Sequence, residues 1–164
     1  MTKSILLVGV GGQGTILASK LLTIGLMESG YDVKMSEIHG MSQRGGSVSS
    51  QVRYGEKVYS PVIEKGEADI IISFEELESA RWIPYLKKGG HLITSVQKID
   101  PMPVITGNMT YPENIEDKVK NLGIDIISVD ALGLAEQAGT SKASNVVLMG
   151  VLSTKMGFDE SVWQ

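Results

Sequence analysis

Apolar and polar positions along this chain follow two rhythms. Residues 4–10, "SILLVGV", are a short continuous apolar run, the pattern of a strand covered on both faces. "GGQG" interrupts it. Residues 15–28, "TILASKLLTIGLME", then read as a helix apolar nearly all round, closed by Gly30. "YDVKMSEIH" predicts a second strand, so this part of the chain reads as a βαβ unit with a right-handed crossover. Period two takes over in "SVSSQVRYGEKVYSPVI". Val48, Ser50, Val52 and Tyr54 fall on one side, and Ser49, Gln51 and Arg53 on the other. With a turn at residues 54–57 and Pro61 at a strand end or edge, this predicts an antiparallel hairpin.

The α/β rhythm then returns. "ADIIISF" predicts a strand, and "EELESARWIPYL" a helix broken near Pro84. "KKGGHLITS" reads as a lysine-rich helix end, a glycine turn and a strand. Pro101, Pro103 and Pro112 mark an extended segment with a short strand. "ENIEDKVKNLG" predicts a helix ended by Gly123, "IDIISVD" a strand, "ALGLAEQAG" a short helix and "SNVVLMGVLSTKM" another helix apolar on nearly every side. The two apolar helices are either buried on both sides or leave one face for a partner. The expected fold class is α/β: a three-layer, mostly parallel, Rossmann-like sheet with an inserted antiparallel hairpin. The 164 residues suit a single domain.

Composition narrows the chemistry. Apolar residues make up 42% and charged residues 21%, with a net charge of −4. That balance argues against nucleic acid binding driven by bulk charge. The sequence has no cysteine, which excludes thiolate nucleophiles and cysteine-ligated iron–sulfur clusters among these residues. Two histidines, His39 and His91, do not make a histidine-rich metal site. No apolar run is long enough to span a bilayer, and "MTKSILLVGVGG" reads as a first strand rather than a leader. A cytoplasmic location is the expectation.

Two segments carry candidate chemistry. Gly9, Gly11 and Gly14 fit G-x-G-x-x-G between a strand and a helix. There, glycines let backbone N–H groups approach a phosphate, and the helix N-terminus favours the negative charge. The plainer alternative is a tight βα turn with no ligand. Gly12 and Gln13 fill the loop, and Gln13 can hydrogen-bond a ligand or a partner backbone. Glu37, 23 residues after Gly14, could serve as a ribose-binding acid. The second segment, "EIHGMSQRGGSVSSQVRYG", places Arg44 beside Gly45, Gly46 and Ser47. A guanidinium fork there suits a phosphate or carboxylate, while the bland reading is a solvated loop charge. Glu37 and His39 share one strand face, as an acid/base pair, an orienting contact or ordinary structural groups. Trp82 and Tyr85 read as helix packing. Glu75, Glu76 and Glu78 read as a helix start favoured by the dipole.

"GVGGQG", "EIHGMSQRGGSVSSQVRYG" and "VYSPVIEKGEADIIISFEELESAR" together resemble the small, gamma-type subunit of the thiamine-dependent 2-oxoacid:ferredoxin oxidoreductases. The indolepyruvate type is nearest, and the likeness spans roughly residues 4–150. Such proteins continue further than this chain, so "FDESVWQ" reads as a helix start truncated at the C-terminus. The resemblance implies an accessory subunit, inactive alone, in a complex that oxidatively decarboxylates a 2-oxoacid, here an aryl pyruvate, and passes the acyl group to coenzyme A. A large partner subunit would carry thiamine diphosphate and iron–sulfur clusters and pass electrons to ferredoxin. No catalytic residue is expected in this chain beyond assistance from His39 or Glu37. Gly11, Gly12, Gln13, Gly14, Arg44, Gly45, Gly46 and Ser47 are expected to form one anion-binding edge for coenzyme A, shared at the interface. Two other readings stay open. One is a free-standing NAD(P)- or flavin-binding oxidoreductase. The other is a non-enzymatic nucleotide-binding module.

Overall fold

The computed structural model describes residues 1–39, the last by its backbone alone, and residues 45–157. The elements are β1 (Lys3–Val10), α1 (Thr15–Glu28), β2 (Asp32–His39), β3 (Ser47–Gly55), β4 (Ala68–Ser73), α2 (Glu76–Arg81), β5 (Leu86–Ser95), α3 (Met102–Ile105), α4 (Ile115–Asn121), β6 (Asp125–Val129), α5 (Ala131–Gln137) and α6 (Ser144–Met156). One six-stranded sheet has the order β2-β3-β1-β4-β5-β6. β3 runs antiparallel to both β1 and β2, and the other pairings are parallel.

Alternation along β1 builds the layers. Ile5 and Leu7 face one side, with Leu22 and Leu26 of α1, Ala131 of α5, and Leu148 and Leu152 of α6. Leu6 and Val8 face the other, with Ile63, Ile71, and Ile115 and Val119 of α4. Both faces of β1 are therefore buried, as its unbroken apolar run requires. Each such fully buried Leu or Ile contributes roughly 1.5–3 kcal/mol.

Three local expectations are corrected. An antiparallel strand is inserted, but residues 56–67 form no return strand, and β3 pairs instead with β1 and β2. The antiparallel neighbours in sequence are β2 and β3, paired from Asp32 opposite Gly55 to His39 opposite Val48. The alternating pattern of β3 records its two faces, not the identity of its neighbours. Next, "KKGG" is not a helix end: β5 already begins at Leu86, and its register slips opposite Ala68–Ile70. Finally, the proline-rich segment holds the short helix α3, with Pro101 as its N-cap residue, and no strand.

Helix α1 answers the question its composition raised. Ala18 and Leu22 are buried, while Leu17, Leu21, Ile24 and Met27 are 45–59% exposed. The second apolar face is left uncovered. On the buried side of the sheet, Tyr31 and Tyr54 pack edge to face at 5.2 Å. Burial, with Tyr31 and Asp69 nearby, pushes the Tyr54 phenol from an ordinary 10 up to about 12. Its folded-state value is raised, so its contribution to stability is complete below pH 10 and fades as pH rises towards 12. An absorbance titration of tyrosinate should show two fewer groups ionising near pH 10 in the native chain than in urea, Tyr54 as a late group near 12 and Tyr111 higher still. Tyr54→Phe should remove the late group near 12. A native titration identical to the unfolded one would refute this.

Candidate functional site

The glycine loop sits where the chain changes direction across the sheet. After β1 the chain passes to α1 on one face, and after β4 to α2 on the other. Open α/β sheets place ligands in the crevice at such a switch point. Here Gln13 bridges that crevice. Its Oε1 accepts the Val10 N–H at 2.8 Å, and its Nε2 donates to the Phe74 carbonyl at 2.7 Å and to Gln97 Oε1 at 3.2 Å. Gln13 is a structural clasp between the ends of β1 and β4.

The glycines follow from that closeness. A Cβ at Gly9 would stand 2.9 Å from Gln13 Oε1 and 3.1 Å from Phe74 Cβ. Gly14 is the N-cap of α1 in the left-handed region, with φ 83°, and no side chain caps the helix there. A Cβ on Gly14 would lie 2.7 Å from Nδ2 of the buried Asn145 in α6. The first-turn N–H groups of α1 therefore keep their capacity to bind an anion.

The two predicted segments do meet. The Gly11 N–H donates to the Gly46 carbonyl at 2.9 Å, joining the glycine loop to the residue directly before β3. Gly11, Gly12 and Gly14 line a cleft of about 370 Å³ together with Ile38, Ser49 and Ser50. The Ser49 hydroxyl is buried without a hydrogen-bond partner among the described residues. On the other side of the loop, a cleft of about 490 Å³ runs past Gln97, Lys142 and Asn145. Gly45 and Gly46 belong to this edge, whereas Arg44 and the His39 side chain lie outside the described residues.

Glu37 does not stand where a ribose-binding acid would. β3 separates β2 from β1, so Glu37 is one strand further from the glycine loop than a simple βαβ unit would place it. Its carboxylate accepts the Ser19 hydroxyl of α1 at 3.4 Å. Strands are roughly 4.8 Å apart, so the insertion of β3 moves the acid by about that much from where a direct neighbour of β1 would hold it.

Sequence reasoning missed the buried acids behind the edge. Glu78 is 4% exposed, and its Oε2 accepts the Ser47 hydroxyl at 2.5 Å and the Trp82 indole N–H at 3.2 Å. Arg81 lies 3.4 Å from its other oxygen. Glu78 thus anchors the first residue of β3, next to the Gly46 carbonyl that receives Gly11. Glu75, 1% exposed, caps α2 through the Glu78 N–H at 2.8 Å. It also accepts the Ile99 N–H at 3.1 Å and the Tyr111 hydroxyl. Burial, and then the Glu75 carboxylate, push the Tyr111 phenol well above its ordinary range. The available signal was the E-x-x-E spacing directly after a buried strand, which is an N-cap and N3 pattern as well as a dipole effect. Among the described residues no group of three or more His, Asp or Glu could hold a metal ion, and no helix is long and apolar enough to cross a membrane.

Comparison with known proteins turns this geometry into a class. The gamma subunit of keto/oxoacid ferredoxin oxidoreductase from Geobacter sulfurreducens PCA has the same fold, with a TM-score of 0.67 at 19% identity over 98% of this chain and 82% of that one. The 2-oxoglutarate:ferredoxin oxidoreductase of Magnetococcus marinus, solved with 2-oxoglutarate, coenzyme A and succinyl-CoA bound, superposes with a TM-score of 0.63 at 17% identity. That match covers 98% of this chain and 28% of the other. The sequence matches the pyruvate ferredoxin/flavodoxin oxidoreductase family over residues 4–164. Indolepyruvate oxidoreductase subunit IorB of Thermococcus kodakarensis is 45% identical over 158 residues, 94% of this chain and 78% of that protein. Its counterpart in Archaeoglobus fulgidus is 40% identical, over 93% of this chain and 76% of that protein. The chain belongs to the pyruvate ferredoxin/flavodoxin oxidoreductase family, as a small subunit of a 2-oxoacid:ferredoxin oxidoreductase.

Proposed function

We propose that this chain is the accessory subunit of an indolepyruvate-type oxidoreductase acting on aryl pyruvates, and that its loop edge contributes to coenzyme A binding at the interface with a larger catalytic subunit. The observation that carries this reading is the Gly11 N–H to Gly46 carbonyl bond, which makes one edge of two separate loops. That edge fits a phosphorylated ligand. It offers uncapped first-turn N–H groups, closely approachable glycine backbone and the buried Ser49 hydroxyl beside one cleft. Arg44, two residues before Gly46, would supply a bidentate donor.

Thiamine diphosphate and iron–sulfur clusters, held by the partner, would supply decarboxylation and electron transfer to ferredoxin. These 164 residues contain no cysteine to ligate such a cluster. The role of this chain is to bind and orient the acyl acceptor. The crevice occupied by Gln13 and the displaced Glu37 speak against a free-standing dinucleotide enzyme.

Calorimetry on the assembled enzyme tests the edge. Arg44→Ala should weaken coenzyme A binding by about tenfold, the loss of one charge-assisted contact. Undiminished affinity would remove Arg44 from the site. The substrate is tested by turnover of the complex on a panel of 2-oxoacids, where aryl pyruvates should show the highest kcat/KM.

A further inference from the structure

At the opposite end of the sheet from the loop edge, β1, β4 and β5 begin around a second concave surface. A cleft of about 270 Å³ is lined by Lys3, Lys87, Lys88, Lys155 and His91, with Asp69 as its one carboxylate. Four ammonium groups therefore share one negative charge, on a chain whose net charge is −4. Two of them converge on a single oxygen. Asp69 Oδ1 lies 3.7 Å from Lys3 Nζ and 3.4 Å from Lys87 Nζ. Its other oxygen is taken by the Ser4 N–H at 2.9 Å. The His91 ring is held by Asp125 at 2.7 Å. Lys88 and Lys155 are exposed and make no ion pair among the described residues.

The backbone builds this concentration. Ala68 pairs with Leu86 and Ile70 with His91, so residues 87–90 bulge opposite Asp69. Gly89 sits in the left-handed region with φ 79°, the turn that makes the bulge possible. A bulge re-aims its side chains, and here it places two consecutive lysines at the rim of the cleft. Lysines on a convex surface diverge into water. Around a concavity their fields add and attract a compact anion. The volume lies below the roughly 300–1,000 Å³ of cofactor-sized pockets. Ammonium groups bind phosphate oxygens as point charges, with no need for a planar fork.

We propose that this cleft is a binding site for a small, multiply charged phosphate-type anion of about diphosphate size. The test is calorimetric titration of the full chain, within its assembled complex saturated beforehand with thiamine diphosphate and coenzyme A so that those sites are filled, with inorganic diphosphate at fixed ionic strength. One saturable site per chain is expected, with sulfate binding more weakly. The double variant Lys88→Gln/Lys155→Gln should weaken diphosphate binding by about tenfold or more. Both residues are exposed and without an ion pair among the described residues, so the variant should keep its native melting temperature. Asp69→Asn should act in the opposite direction and tighten binding, because it removes the competing charge. A parallel titration with ADP separates the sources. Tighter binding than diphosphate indicates a nucleoside-borne phosphate, and equal or weaker binding a free one. Absence of a saturable heat, equal affinity for sulfate, or an unchanged affinity in the double variant would each overturn the proposal.

Discussion

Glu75→Ala should lower the stability of the chain by about 3–5 kcal/mol, because it strands three donors in a buried site. The carboxylate holds the Glu78 N–H, the Ile99 N–H and the Tyr111 hydroxyl, and solvent barely reaches it. Tyr111→Phe removes one of these bonds and should cost only about 1–2 kcal/mol. Urea melts of the three proteins give the ranking. A second readout isolates the charge: in Glu75→Gln the negative neighbour is gone, so the Tyr111 phenol should ionise at lower pH than in the parent. If Glu75→Ala melted within about 1 kcal/mol of the parent, close to the range of an ordinary surface change, the carboxylate would not be the tie between α2 and the 97–111 segment.

Gly14→Ala should cost about 2–4 kcal/mol, from two separable causes. The first is backbone: φ 83° is strained for any residue with a Cβ. The second is contact. The new methyl would lie 2.7 Å from Asn145 Nδ2, and Asn145 cannot turn away without releasing the Val146 N–H that its Oδ1 accepts at 2.9 Å. In an Asn145→Ala background only the backbone cost remains, so the same substitution should be milder there by about 1 kcal/mol or more. Strict additivity across this double-mutant cycle would show that α6 does not constrain the loop. On the assembled enzyme, Gly14→Ala should also weaken coenzyme A binding if the loop edge is the acceptor site.

Much of this was legible from local chemistry. β1, α1, β4, β6, α5 and α6 follow from apolar runs, helix periodicity and bounding turn residues, each signal lying in or beside its own element. The meeting of the glycine loop with Gly46 followed from the rule that ligands gather at the C-terminal ends of the strands in an open α/β sheet. What failed were non-local pairings. The alternation in residues 48–54 says that both faces of β3 are distinct, but the neighbours are chosen by burial against β1 and β2, 30 and more residues away along some of the pairs. The strand start at Lys87–Lys88 was hidden because lysines there are carried by a bulge. The spacing of Glu75 and Glu78 signals a helix cap, but not their tertiary partners: Tyr111 stands 36 positions from Glu75, and Ser47 stands 31 from Glu78.

The insertion of β3 between β1 and β2 has a consequence for synthesis on the ribosome. When the first 39 residues have emerged, the two parallel strands they encode have no shared edge, since each pairs with β3 and not with the other. The nascent chain must therefore hold an apolar strand and an apolar helix unsheeted until Gly55 has cleared the exit tunnel. That interval is the natural moment for a chaperone, and a translational pause before residue 55 would prolong it.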